Sequence, residues 1–170
     1  MGEDLPGWII PILNWMETTW INDLMLGPRW SWPIFETLHF TGMCLLFGPL
    51  IIMDLRLLGF ERLTIPSAAV HKLIPLTIFG FGINLVTGIG FVFGNPYRYA
   101  MSNMFLFKSI LILLAGANVL YFWKKAMPVL DGIGPHEDAP TSIKLVGLTS
   151  LLLWTGVLSF GRLIPYFGTG

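Results

Sequence analysis

The chain lacks the charge and the cysteines that soluble or disulfide-linked domains use. Charged residues make up 12% of its 170 positions and hydrophobic residues 54%, and the mean hydropathy is +0.70. This composition excludes a soluble single domain and indicates a membrane protein. The one cysteine, Cys44, excludes both an intrachain disulfide and a cysteine-based metal cage. We expect Cys44 to be a small apolar packing residue within a membrane span.

An excess of either charge is also missing. Ten basic and ten acidic residues give a formal net charge of zero, and the basic residues are scattered along the chain. A phosphate backbone requires a continuous positive surface, so the sequence predicts no nucleic acid partner. The first residues carry neither the positive start nor the small-residue cleavage pattern of a secretory signal, so we expect this segment to be retained.

The chain does contain four long apolar runs. They lie at about residues 32–53, 72–94, 103–123 and 143–163, and each reaches the length of roughly 20 residues that a spanning helix needs. Upstream, between Trp8 and Leu24, polar residues share one helical stripe and aromatic residues surround it, which is typical of a helix lying in the membrane interface. We therefore predict an all-α fold, an integral membrane four-helix bundle at 32–170 with an N-terminal interfacial amphipathic helix within 1–31. The stripe comprises Asn14, Glu17, Thr18 and Asn22.

The basic residues at the ends of the predicted spans indicate the orientation. The face that carries more lysine and arginine is normally cytoplasmic, which predicts a multi-pass protein of a bacterial inner membrane with both termini in the periplasm. Its first expected partner is the lipid bilayer. The richer face carries Arg56, Arg62, Lys72, Lys124, Lys125 and Lys144, and the other carries Arg29, Arg98, Lys108 and Arg162.

His39 is the leading candidate for a functional residue because it lies inside the first apolar run. An ionisable side chain within hydrocarbon is costly and marks a functional site by default, and imidazole is a favoured iron ligand. At a rise of about 1.5 Å per residue, His39 and Lys108 lie about 12 Å and 8 Å from the outer ends of their helices, in similar layers. Arg162 can reach towards this layer by snorkelling. These groups suit a haem with anionic propionates, and equally a quinone or an anionic lipid headgroup.

His71 is a second candidate metal ligand, at the start of the second span on the inner face. It lies roughly 20 Å from His39 along the membrane normal in a core about 30 Å thick, so the two imidazoles cannot hold one iron. Either two haems are bound, or each site takes another ligand from elsewhere, for which methionine is a known choice. The outer side offers Met43, Met101 and Met104. We expect His136, in a polar loop, to be an ordinary solvated residue.

Small residues form a stripe on the second predicted helix, where Gly80, Asn84, Thr87 and Gly88 share one face. Such stripes let helix backbones approach closely, and helix packing is favoured here over clearance for a flat macrocycle. Asn84 and Asn118 are expected to be buried amides that bond across helices or to a cofactor. The glycine faces also favour a homo-oligomer.

A resemblance is carried by motifs found throughout the chain after residue 30: Leu38 to Gly42, Phe47-Gly48, Asp54 to Gly59, Asn95-Pro96, Tyr99, Phe107-Lys108, Gly116 to Asn118, Trp154 and Gly161-Arg162. With these motifs the chain resembles an uncharacterised family of small bacterial inner-membrane proteins. More distantly, its first-helix histidine and third-helix lysine are similar to the pattern of HemJ-type protoporphyrinogen oxidases and CopD-type membrane domains. The resemblance implies a four-helix haem b protein in which His39 and Lys108 match that histidine and that lysine.

Three functions remain open at this point. The leading hypothesis is a haem b membrane protein, a possible oxidoreductase, that exchanges electrons with a quinone or a periplasmic redox protein. His39 would be an axial ligand, His71 the ligand of a second haem, and Lys108 and Arg162 would balance propionate charge. The alternatives are a small transporter or ion permease of the CopD type, and a structural subunit of a larger membrane complex.

Overall fold

The computed structural model describes residues 5–60, 66, 68–134 and 137–167. Arg62 and His136 lie outside these residues, so the predictions made for them are not addressed. Within the described ranges the chain is helical and contains no strand, which confirms the predicted all-α class. Four helices are long and apolar enough to cross a membrane, so the chain is a multi-pass membrane protein.

The four long helices coincide with the four predicted runs and extend beyond them. They are α3 (Ser31–Leu57), α4 (Ala68–Gly94), α6 (Asn103–Tyr121) and α8 (Thr141–Phe167). The third span continues through a π-helical turn, Phe122–Ala126, into the short helix α7 (Met127–Gly132). A further short helix, α5 (Pro96–Ala100), joins α4 to α6, and the side chain of Asn95 caps its first turn.

The long helices pack as an open arc and not as a closed ring. α3 packs against both α4 and α8, and α6 packs against α8. α4 and α6, both described over their whole lengths, stand at the two ends of the arc and make no extensive contact with each other. The bundle therefore has a cleft between α4 and α6.

The contact between α3 and α4 depends on small residues, as the glycine stripe predicted. A Cβ atom on Gly80 would lie 2.5 Å from the backbone nitrogen of Leu46, and one on Gly42 would lie 2.7 Å from the Asn84 amide nitrogen. The backbones are thus too close for any larger side chain, which confirms helix packing as the role of these two glycines. Because this face is used within the chain, the expected homo-oligomer would have to use other glycines. Those with nothing near a Cβ include Gly48, Gly82 and Gly116.

The N-terminal segment differs from its prediction, because it forms two short helices and not one. α1 (Ile10–Glu17) ends at Thr18, and Thr19 caps α2 (Trp20–Leu26) by accepting a hydrogen bond from the Asn22 backbone. Two residues of the predicted polar stripe bond to the rest of the bundle. Asn22 is buried and donates from Nδ2 to a carbonyl near the end of α4 at 2.6 Å, and Asn14 accepts from the hydroxyl of Tyr97. The segment is therefore tied to the bundle by its polar side chains, while its tryptophans face outwards.

Two further residues differ from their predicted environments. Arg56 is completely buried, and its Nη2 donates to the Glu137 carbonyl oxygen at 3.1 Å, so it joins α3 to the loop before α8. Cys44 is exposed on α3 and does not pack in the core. The apolar core at this inner end joins Leu57, Val70, Leu130 and Ile143, from α3, α4, α7 and α8.

Candidate functional site

His39 lies on α3 and is held by a hydroxyl of α4. Its Nδ1 is 2.6 Å from Oγ1 of Thr87, which is buried. The same hydroxyl donates its one proton within α4, to the carbonyl of Ile83 at 2.7 Å. With its proton used in this way, the hydroxyl oxygen can accept from an Nδ1–H group of the imidazole. In that tautomer the lone pair is on Nε2, for which no hydrogen-bond partner exists among the described residues.

The surroundings of His39 leave one side of the ring open. Phe91 meets the imidazole edge to face, with ring centroids 5.4 Å apart and an interplanar angle of 70°. Gly88 lies beside the ring, because a Cβ there would be 4.0 Å from Cε1 of His39. An open apolar groove with a volume of about 430 Å³ borders this network, lined by Thr87 together with Leu38 and residues of α4. The side chain is only half-buried, so a ligand has access to it.

Lys108, the second residue predicted for this site, lies on another helix. It is half-buried on α6, close enough to His39 to interact electrostatically with it. Its side chain runs over Gly161 of α8, where a Cβ would lie 3.5 Å from Nζ. No carboxylate pairs with Lys108 among the described residues. That His39 and Lys108 share one membrane layer stays a prediction.

Arg162 does not join this pair. Its guanidinium is exposed and turns along its own helix, where Nη2 donates to the hydroxyl of Tyr166 at 2.8 Å and the charge stacks on the same ring at 5.0 Å. Arg162 lies near the C-terminal end of α8, with its charge directed to Tyr166 and not to His39.

His71 lies near the start of α4, far along the helix from the His39 site. Its Nε2 is 2.7 Å from a carboxylate oxygen of Asp131 on α7, and both side chains are about half exposed. This hydrogen bond links α4 to α7. Within the described residues no group of three or more histidine, cysteine, aspartate or glutamate side chains could hold a metal ion.

The two amides have different partners. Asn118 donates from Nδ2 to the Val146 carbonyl on α8 at 3.3 Å, which confirms the predicted bond across helices. Asn84 donates to the Gly80 carbonyl within its own helix at 3.0 Å, and its Oδ1 is buried without a partner among the described residues.

Thr87 and Asp54 have functional surroundings in the structure, but the sequence predicts no functional role for either. Thr87 was assigned only to the small-residue stripe, although it lies seven positions before the end of α4 and therefore about 10 Å deep, close to the depth of His39. Asp54 belongs to a motif of the resemblance and has no predicted site role. It is buried beside a cavity that no sequence pattern could reveal.

The fold and the site define the class of this protein: an all-helical multi-pass membrane protein with a half-buried histidine whose Nε2 has no hydrogen-bond partner among the described residues. The chain belongs to a family of unknown function, DUF6644, which it matches over residues 12–167. No curated protein and no solved structure matches it. The likeness to HemJ-type and CopD-type proteins therefore rests on the motif residues alone.

Proposed function

We propose that this protein binds haem b in the outer half of the membrane and transfers electrons, with Nε2 of His39 as an axial ligand. The observation that carries the proposal is the Thr87 hydrogen bond, because it holds the imidazole by Nδ1 and leaves Nε2 without a partner among the described residues. Ligating histidines in proteins usually donate their other ring nitrogen to a fixed acceptor, and that bond sets ring orientation and ligand basicity. In this chain the acceptor is itself held by the Ile83 carbonyl.

The neighbouring residues fit the same group. Lys108 supplies an unpaired cation in the layer of His39, which a propionate carboxylate would neutralise. Gly88 leaves clearance at the ring edge, and the groove beside Thr87 is apolar. When bound, the haem would supply one-electron chemistry, while the protein provides ligation, burial and orientation. His71 is not included in this site because its Nε2 is bonded to Asp131.

The cellular setting is part of the proposal. The excess of lysine and arginine on the face of Arg56 and Lys144 orients the chain in a bacterial inner membrane with both termini in the periplasm. His39 is then on the periplasmic side. Its electron partners would be a membrane quinone or a periplasmic redox protein.

The test is the absorbance spectrum of the detergent-purified chain from cells supplied with haem precursors. We expect a Soret band and reducible α and β bands, with one haem per chain. In His39→Ala these bands should largely vanish while the protein still inserts into the membrane. The matched control is His71→Ala, which removes an imidazole from the other end of the bundle and should keep the spectrum.

A finer test addresses the hydrogen bond itself. Thr87→Val keeps the shape of the side chain and removes the hydroxyl that bonds to Nδ1. Haem should still bind, but with an altered midpoint potential and an affinity about 10–100-fold lower, the usual effect of losing a residue that bonds to a ligating histidine. A colourless wild-type protein would refute the haem proposal. A spectrum that survives His39→Ala would refute the assignment of the ligand.

A further inference from the structure

A separate cavity lies in the inner half of the bundle, about three helical turns from His39. Its volume is about 230 Å³. α3 and α8 form its floor through residues such as Leu50 and Trp154, and α4 and α6 form its walls through residues such as Phe81 and Ile112. Almost all of the lining is apolar, and none of the lining residues carries a positive charge.

The cavity opens sideways towards lipid and not towards water. Its rim follows the cleft between α4 and α6, where Ile78, Val119 and Trp123 are 58%, 41% and 49% exposed. Below the cleft the inner end of the bundle is closed, because the buried core there joins α4 to α7. A molecule that enters through this opening must therefore be dissolved in the membrane.

The deep part of the cavity carries a carboxyl group with one unpartnered oxygen. Asp54 is only 4% exposed, its side chain is hydrogen-bonded to Ser150, and its Oδ2 has no hydrogen-bond partner among the described residues. Leaving such an atom buried and unsatisfied costs about 1–3 kcal/mol. Asn118 also lines the cavity, and its Nδ2 donates one proton to the Val146 carbonyl. The unpartnered Oδ2 of Asp54 accepts hydrogen bonds when the carboxyl is ionised, so the complementary ligand is one that donates them.

The mouth of the cavity is shaped by an unusual piece of backbone. α6 passes into a π-helical turn at Phe122–Ala126, and the first two residues of that turn line the cavity. Single π turns within α-helices occur frequently at functional sites, because they shift the following side chains around the helix axis. Here the turn adds the aromatic rings of Phe122 and Trp123 to a lining that already contains Phe81 and Trp154.

We propose that this cavity binds the ring of a lipid-soluble hydroquinone, which enters between α4 and α6 and donates a ring hydroxyl to Asp54 Oδ2. The volume suits one substituted ring, the aromatic side chains suit its faces, and the tail would leave through the cleft into lipid. An anionic phospholipid headgroup is a poorer match because no lining residue is cationic. The choice of a quinol rests on the proposed electron-transfer function, but its binding is measurable without haem.

The experiment uses the full chain in nanodiscs of zwitterionic lipid, titrated with decyl-benzohydroquinone under reducing conditions. The dimethyl ether of the same compound is the ligand control, because it keeps the ring and tail and lacks both hydroxyl donors. We expect saturable one-to-one binding of the hydroquinone and at least about tenfold weaker binding of the ether, the effect of losing one hydrogen bond of about 1.4 kcal/mol. Equal affinity for the two compounds would overturn the proposal.

Two variants test the position of the site. Asp54→Asn should weaken hydroquinone binding, and Ile78→Trp should abolish it by filling the mouth of the cavity. Ile78 faces lipid, so this change leaves the fold intact. The matched control is Ile89→Trp. Ile89 is another exposed isoleucine of α4 and lies outside the cavity lining, so this variant should bind hydroquinone like the wild type. Unchanged binding in Ile78→Trp, or a phospholipid that stays in the cavity and excludes the hydroquinone, would overturn the proposal.

The failure of this proposal is distinguishable from the failure of the haem proposal. Haem-free His39→Ala protein should bind the hydroquinone with the affinity of the wild type, because the two sites are in different halves of the bundle. If the wild-type protein is colourless but binds the hydroquinone, only the haem assignment fails. If it contains haem but binds the ether as well as the hydroquinone, only the cavity assignment fails.

Discussion

Replacing Gly80 by alanine tests the close approach of the α3 and α4 backbones. The added Cβ would lie 2.5 Å from Leu46 N and 2.8 Å from the Gly42 carbonyl oxygen, both of them backbone atoms that cannot move aside. The α3 and α4 backbones must therefore separate, and overpacking of this kind costs about 1–3 kcal/mol. A soluble domain of this size loses about 2–4 °C in Tm per kcal/mol, so we expect a decrease of about 2–12 °C. The assay is thermal unfolding in detergent, followed by near-ultraviolet circular dichroism.

Gly82 provides the matched control two residues further along the same helix. Nothing lies within 4 Å of a Cβ at this position. Since alanine is the better helix former, Gly82→Ala should leave the stability unchanged or raise it by up to about 1 kcal/mol. The two substitutions are chemically identical, so opposite effects would have only packing as their cause. Equal Tm values for the two variants would refute the close approach of α3 and α4.

Three further predictions concern other parts of the chain. Asn22→Ala removes the 2.6 Å bond to α4 and should cost about 0.5–1.5 kcal/mol, seen as faster hydrogen exchange in α1 and α2 and not in α8. Arg56→Met should lower the free energy of unfolding by about 1.5–3 kcal/mol, because the hydrogen bonds of a completely buried charged group are lost. Lys144→Met, which breaks a partly exposed ion pair, should lower it by at most about 1 kcal/mol. Similar losses for the two variants in urea unfolding would contradict this prediction. A variant with Trp20 as its only tryptophan should be quenched more strongly by lipids brominated near the headgroup than one with only the buried Trp154, and the reverse order would place α2 elsewhere.

The residues of the candidate site show how much of its geometry the sequence predicts. Helix rise predicts one membrane layer for His39 and Lys108, and in the structure the two side chains are close enough to interact electrostatically. Arg162 is predicted to reach towards that layer, but its charge is directed to Tyr166, one turn further on. A side chain as long as arginine reaches several neighbours from one position, and the sequence does not show which of them it contacts.

The amphipathic segment shows a second limit. Its polar residues share one helical face, so the sequence predicts a single amphipathic helix. That prediction continues one helical periodicity across Thr18 and Thr19. Threonine hydroxyls compete for backbone hydrogen bonds and cap new helices, so the segment breaks there. The polar face then meets the carbonyl groups at the end of α4, which the sequence of the segment does not contain.

The sequence by itself determined the class and the four spans, because hydrophobicity acts locally along the chain. Tertiary structure decided the order of the helices in the arc, the pairing of His39 with Thr87, and the cleft in which Asp54 is buried. These depend on which faces of distant helices meet, and many arrangements of four apolar helices satisfy the same local pattern. In the membrane such arrangements differ in small-residue contacts and buried hydrogen bonds, since every helix is equally apolar to lipid.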